Sequence, residues 1–203
     1  MRNITFKQYR NIDILIFAGI LTVSETITTI ATNKWFDQQP VAISTSLMFI
    51  CIIMMRWNWL AIIPAALGGL VFCIASGARD LAPYATYILG NCLSLLAMVW
   101  FKVFKKDEVR KNPFKLVLFV ATSYLAMQLG RWLVSLCFGG GIEDLIKFLT
   151  TDTISLLFAV VIMMLMRSMD GMIEDQKAYL FRLQREREEK QQEESMNEYS
   201  DNY

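Results

Sequence analysis

Six mostly apolar runs constrain this chain more than any other feature, because they are apolar on every side. A helix of about 20 apolar residues crosses a bilayer hydrocarbon core of about 30 Å, whereas a helix on a soluble domain keeps a polar face. The pattern predicts an all-α integral membrane protein with six transmembrane helices, at residues 12–34, 41–55, 58–76, 82–104, 114–138 and 145–167. The second run is short and the third follows almost without a loop, which predicts a tight hairpin.

Charged residues are concentrated after the last apolar run. Residues 171–203 hold 9 acidic and 5 basic side chains, although the whole chain has only 19 acidic and 20 basic ones. We therefore predict a transmembrane domain at residues 1–170 and a charged tail at residues 171–203 that begins as a helix and ends disordered. A solvated helix is the simpler interpretation of this tail, and docking onto a cytoplasmic partner is the alternative.

Lysine and arginine are distributed unequally between the two sides of the predicted membrane domain. With the N-terminus inside, 16 of the 20 basic residues lie on the inner segments, 3 on the outer ones, and Arg131 lies within a span. The positive-inside rule then predicts that both termini are cytoplasmic. The first span is not predicted to be a cleaved signal peptide, because it is too long and contains Asp13 and Glu25.

The composition excludes several classes of function. The chain has no histidine, which excludes Ser-His-Asp and Cys-His catalysis and the common catalytic zinc sites. A net charge of +1 gives no support for nucleic-acid binding, and no GxxxxGK[ST] phosphate loop is present. We therefore predict no catalytic residue, metal or cofactor, and the four cysteines are interpreted as packing residues.

Polar residues form one stripe along each of four predicted spans. A rise of 1.5 Å per residue places Glu25, Asn91, Arg131 and Asp152 roughly 10 to 13 Å from the outer ends of their spans. A charge at the bilayer centre costs about 2.5–3.5 kcal/mol, so these groups should face a shared interior. The predicted pocket has Phe148 in its wall and, as its binding residues, Glu25, Tyr84, Tyr87, Asn91, Gln128, Arg131, Trp132 and Asp152.

Two interpretations of these polar stripes stay open. Arg131 could pair with Glu25 or with Asp152 as a structural contact, or the same groups could line a pocket that opens to the outside. The two are compatible, because an ion pair can open around a charged ligand. Small residues in the first span (Ala18, Thr22 and Thr26) are predicted either to pack internally or to dock on another membrane subunit.

Several short stretches of the central part of the chain form a recognisable pattern: Arg56-Trp57, Ala65-Ala66-Leu67-Gly68-Gly69-Leu70, Ser76-Gly77 and Tyr87-Ile88-Leu89-Gly90-Asn91. Together they resemble the central part of the substrate-capturing S components of energy-coupling factor (ECF) transporters, the vitamin importers of bacteria. The size, the six spans, the cytoplasmic termini and the short second helix are also similar to that family.

The resemblance implies a multi-pass protein of the bacterial cell membrane that binds a small polar or aromatic micronutrient. The ligand would lie beneath the loops 35–41, 77–83 and 139–144. The first span would then dock on a membrane coupling subunit that two ATPase subunits drive. The family's docking motif is Ala-xxx-Ala, whereas this chain has Ala18-xxx-Thr22.

Two other classes of function compete with this expectation. A non-transporting scaffold or regulatory subunit, whose tail recruits a partner, predicts that Glu25, Arg131 and Asp152 form a closed ion-pair network. An intramembrane enzyme could use Asp152 and Glu25 as acid and base. No motif places a nucleophile beside these carboxylates, so the chain is not expected to be an enzyme.

Overall fold

The structure, a computed structural model, describes residues 5–36 and 41–201, and all regular structure in those ranges is helical. Residues 37–40, in the middle of the predicted loop 35–41, lie outside the described part. The α-helices are α1 (Phe6–Trp35), α2 (Ser46–Trp57), α3 (Ile62–Ala75), α4 (Leu81–Cys92), α5 (Trp100–Val103), α6 (Lys106–Lys111), α7 (Pro113–Leu136), α8 (Glu143–Thr151), α9 (Thr153–Met166) and α10 (Gln176–Asp201). Short 3-10 helices join α2 to α3 and α4 to α5, at Asn58–Ala61 and Leu93–Val99.

Four helical stretches of the described residues are long and apolar enough to cross a membrane. They are Phe6–Trp35, Ser46–Ala75, Leu81–Val103 and Pro113–Leu136, counted by length and composition, and Ser46–Ala75 contains both α2 and α3. The pair α8 and α9, bent by 44°, makes a fifth if it counts as one span. These lengths and compositions confirm the predicted class, an all-helical protein with several helices able to span a membrane.

The chain turns back on itself between α2 and α3. Asn58 has φ 55° and ψ −123°, outside the helical region. Beyond this point α3 returns beside α2, and Gly68 lies so close to Ser46 that a Cβ atom at Gly68 would overlap the serine hydroxyl. The absence of a side chain at Gly68 therefore allows the two short helices to pack closely.

Helix α2 forms the centre of the bundle. All twelve of its residues are buried, and α1, α3, α7 and α9 pack around it. At 1.5 Å per residue it is about 18 Å long, shorter than the hydrocarbon core of a bilayer. Burial within protein therefore accounts for the apolar run between Ser46 and Arg56.

One end of the bundle is held together by polar contacts between distant parts of the chain. Arg56, at the end of α2, pairs with Asp13 of α1 at 2.6 Å and donates to the carbonyls of Gly171 and Met172, each at 2.7 Å. The indole of Trp57 donates to Asp13 at 2.5 Å. The start of α1 and the segment that precedes α10 therefore lie at the same end of the bundle.

The predicted boundary at residue 171 falls in a segment that packs on the bundle. Ile173 and Gln176 are fully buried, and Glu174 is 6% exposed. Glu174 pairs with Arg110 of α6 and, at 2.9 Å, with Arg182 of α10. Beyond these contacts, most of the described side chains of α10 are exposed.

Candidate functional site

The candidate site is built where α4 and α7 cross. Gly90 of α4 faces Gly130 of α7, and a Cβ atom at Gly90 would lie 2.6 Å from the backbone nitrogen of Arg131. Glycines at both positions let the two backbones approach closely, as small residues do between helices in a membrane. The close approach places the Arg131 side chain directly against α4.

Arg131 is the centre of a buried polar group that we name the arginine cluster, consisting of Asn91, Gln128, Arg131 and Asp152. Its Nε donates to Asn91 Oδ1 at 3.0 Å, and its Nη1 donates to Asp152 Oδ2 at 2.8 Å and to Gln128 Oε1 at 3.2 Å. None of the four residues is more than 3% exposed. The cluster therefore joins α4, α7 and the connection between α8 and α9.

Asp152 lies at the bend between α8 and α9. Its Oδ2 accepts hydrogen bonds from both Arg131 and Gln128, the latter at 3.0 Å, and its Oδ1 accepts a short one from the Ser155 hydroxyl. The carboxylate also precedes the first residue of α9, where the helix dipole favours negative charge. The 44° bend is thus fixed to α7 through one carboxylate.

The arginine cluster is closed, because its polar atoms are hydrogen-bonded to one another or to adjacent groups, such as the Met127 sulfur that accepts from Arg131 Nη2. Removing two charges from water costs several kcal/mol per ion, and attraction offsets that cost only when geometry and further hydrogen bonds are good. Asn91 also donates to the carbonyl of Ala65 at 3.3 Å, which ties the cluster to α3. A ligand could enter only if some of these contacts opened.

Glu25 does not join the arginine cluster directly. Its Oε2 accepts from the Thr45 N–H at 2.7 Å, the Thr45 hydroxyl at 2.8 Å and the Ser46 N–H at 3.1 Å, so it lies at the N-terminus of α2. Of the two pairings that the sequence left open for Arg131, the structure contains the one with Asp152. The closed network of all three charges, expected for a scaffold, is therefore present only in part.

A short segment connects Glu25 to the arginine cluster. The N–H of Ser44 donates to Ser155 Oγ at 2.7 Å, and the N–H of Ser46 donates to Ser44 Oγ at 3.2 Å. Ser155 in turn donates to Asp152. Ser44 and Thr45 are site residues that the sequence analysis missed; three consecutive hydroxyl residues at the start of an apolar run were the available signal.

The predicted aromatic residues are divided between the cluster and the loops. The guanidinium carbon of Arg131 lies 4.7 Å from the centroid of the Tyr87 ring. The Tyr87 ring also contacts the Phe148 ring edge-on, with 6.2 Å between the two ring centroids. Tyr84 instead donates its hydroxyl to the carbonyl of Ala78 at 3.2 Å, in the loop 77–83. Trp132 similarly donates its indole N–H to Gly141 of the loop 139–144, also at 3.2 Å. Tyr87 is the aromatic residue in contact with the cluster's arginine, and the other two anchor loops.

The predicted docking residues lie on a half-buried face of α1. The hydroxyl of Thr22 donates to the Ala18 carbonyl at 2.8 Å, and that of Thr26 donates to the Thr22 carbonyl at 2.7 Å. Ala18 also lines a groove of about 250 Å³ together with Leu60 and Ile63. Both threonine hydroxyls are thus hydrogen-bonded within α1, so neither of them needs a partner on another helix.

Comparisons with protein-family models, with curated proteins and with solved structures find no match to this chain. The geometry of the buried polar groups therefore carries the functional argument.

Proposed function

We propose that this chain is the substrate-capturing S component of an ECF-type importer and that the arginine cluster is its ligand site. The observation that carries this proposal is the cluster itself: an arginine, an aspartate and two amides buried inside an apolar helical bundle. Ionisable groups within a membrane are costly, and they commonly mark a substrate or ion pathway.

The proposed topology has six spans, with α2 and α3 as separate spans and both termini in the cytoplasm of a bacterium. Arg131 lies 18 residues beyond Pro113 in α7, about 27 Å along the helix axis. The basic loop before Pro113 would face the cytoplasm by the positive-inside rule. The cluster would then lie in the outer half of the membrane, within reach of a ligand from outside.

The chemistry of the cluster suggests a small polar or aromatic ligand of the vitamin class. Arg131, released from Asp152, would bind an acceptor or an anionic group, and Asp152 would accept from a ligand N–H or O–H. A planar ring would stack against Tyr87 and Phe148, because pockets for small molecules combine aromatic walls with a few polar groups. Entry would require the bend at Asp152 to move away from α7.

The same proposal assigns the face of Ala18, Thr22 and Thr26 to docking on a membrane coupling subunit. Helices associate in lipid through faces of small residues, where close packing replaces the hydrophobic effect. Two ATPases attached to that subunit would supply the energy for release of the ligand on the cytoplasmic side.

Mass spectrometry of small molecules released from the purified protein tests the ligand site. The wild type, isolated in mild detergent from bacterial membranes, should release a stoichiometric metabolite, and Arg131→Ala should not. Leu133→Ala is the matched control, because Leu133 is on the same helix but 49% exposed. Retention of the metabolite by Arg131→Ala, with unchanged affinity, would remove Arg131 from the site.

A non-transporting scaffold is the second candidate, and the closed Arg131–Asp152 pair favours it. A purely structural pair can be replaced by apolar residues of similar volume with little effect, because the desolvation cost disappears together with the attraction. The double variant Arg131→Met, Asp152→Leu should therefore keep every function of a scaffold. In an S component the same variant should fold but lose its ligand.

A further inference from the structure

A second polar group, distinct from the arginine cluster, is buried near the start of α2. It consists of Glu25, Thr29 and Ser46, and we name it the glutamate group. Each residue has one side-chain oxygen without a hydrogen-bond partner among the described residues: Oε1 of Glu25, Oγ1 of Thr29 and Oγ of Ser46. All three residues are at most 1% exposed.

Helix register and one backbone hydrogen bond place Thr29 and Ser46 next to Glu25. Glu25 and Thr29 are one turn apart on α1 and therefore project from the same helical face. Ser46 lies beside the carboxylate, because its N–H donates to Glu25 Oε2 at 3.1 Å. Gly68 also packs against the Ser46 hydroxyl.

In the described part of the chain, no basic side chain pairs with the Glu25 carboxyl group. None of the ion pairs within residues 5–36 and 41–201 includes Glu25. Its Oε2 is satisfied by Thr45 and Ser46, whereas Oε1 has no hydrogen-bond partner among the described residues. A buried carboxylate is costly unless it is paired or hydrogen-bonded, so a positive partner at Oε1 would stabilise the fold.

We propose that Glu25, Thr29 and Ser46 form a binding site for a monovalent cation, either an alkali metal ion or an ammonium group. Carboxylate and hydroxyl oxygens suit such hard cations, and the single carboxylate matches a single positive charge. This cation site is separate from the proposed ligand site at Arg131, because it lies between α1 and α2.

Binding at this site would also affect the arginine cluster. A cation held by Glu25 and Ser46 fixes the segment 44–46. That segment contacts Ser155, and through it Asp152. The cation would therefore favour the closed form of the bend between α8 and α9.

The test is the thermal unfolding midpoint, Tm, of the full-length protein in mild detergent at fixed pH and ionic strength. Choline chloride is replaced stepwise by sodium, potassium or methylammonium chloride. A ligand that binds only the folded state raises Tm with a saturable dependence on its concentration. We expect such a rise in the wild type and its loss in Glu25→Gln and in Thr29→Val. Glu143→Gln, which removes an exposed carboxylate on α8, should keep the rise.

The salts distinguish the two kinds of cation. A rise with sodium or potassium alone identifies an alkali ion, and a rise with methylammonium alone identifies an ammonium group. Equal Tm values in all four salts would overturn the proposal, because a water molecule or a proton on Glu25 gives no dependence on cation identity. A saturable rise that persists in both Glu25→Gln and Thr29→Val would overturn it as well. If Glu25→Gln does not fold, Thr29→Val and Ser46→Ala, which keep the carboxylate, decide the outcome.

Discussion

Asp152 accepts a hydrogen bond from Arg131 at 2.8 Å at the very residue where α8 and α9 bend by 44°. The charge pair and the bend of the backbone are therefore one structural unit. Any movement of α8 relative to α7 changes the environment of both charges. In the proposed importer, a ligand that replaces Asp152 as the partner of Arg131 would by the same step release the bend.

Replacing only one residue of the Arg131–Asp152 pair should lower the free energy of unfolding more than replacing both residues. Arg131→Ala leaves a buried aspartate without its cation and should cost about 3–5 kcal/mol of unfolding free energy. The double variant Arg131→Met, Asp152→Leu should recover most of that loss. Unfolding in mixed detergent measures both, and equal losses in the single and double variants would contradict a desolvated ion pair.

The crossing of α4 and α7 should not tolerate even one methyl group. In Gly90→Ala the new Cβ would lie 2.6 Å from the backbone nitrogen of Arg131, and such overpacking typically costs about 1–3 kcal/mol. Gly19→Ala is the matched control on α1, where a Cβ would meet nothing within 4 Å. That change should be neutral or stabilising by up to about 1 kcal/mol, because alanine favours a helix. Thermal unfolding should give opposite signs for the two variants.

The start of the tail should contribute to the stability of the bundle. Ile173→Ala removes a fully buried side chain and should cost about 2–5 kcal/mol. Phe181→Ala, at a position 62% exposed, should have little effect. A chain cut back to residues 1–184 should unfold at the wild-type temperature. A lower midpoint for that truncation would show that the charged helix beyond residue 184 also supports the fold.

Lys106 should make stability depend on pH in the alkaline range. Burial lowers the pKa of Lys106 from its ordinary value of 10.5, and its ion pair with Asp175 opposes this only in part. Between the lowered pKa and 10.5 the unfolded chain binds more protons than the folded one, so stability rises with pH across this window. In Lys106→Met the unfolding free energy should not rise with pH in this window. Denaturation of the wild type and of the variant at several pH values from 8 to about 10.5 measures the difference.

The proposed docking face of α1 should be separable from the proposed ligand site. Ala18→Trp places a bulky ring on the half-buried face with Thr22 and should abolish co-purification of a coupling subunit while ligand release by mass spectrometry stays unchanged. Leu133→Trp, which adds a ring at an exposed position of α7, is the control. Transport by the Ala18→Trp variant would show that α1 is not the docking face.

Helical periodicity predicted which polar side chains are buried. Asn91, Gln128, Arg131 and Asp152 all follow from the stripes, and the structure buries every one of them. The sequence analysis placed Tyr84 and Trp132 in the same pocket as these four residues, whereas in the structure their side chains donate to loop carbonyls. Both lie near the ends of helices, where the path of a loop rather than the helical repeat decides what the side chain contacts.

Composition and helical repeat determined that this chain forms an apolar helical bundle with a polar interior, because the cost of a charge in an apolar surrounding depends on little else. Only the tertiary structure decided the partners: Asp152 for Arg131, and the N-terminus of α2 for Glu25. Those pairings depend on the reversal at Asn58 and on the bend at Asp152. At both positions the backbone leaves the helical conformation. A helical repeat in the sequence carries no information about the direction of the chain after a helix ends.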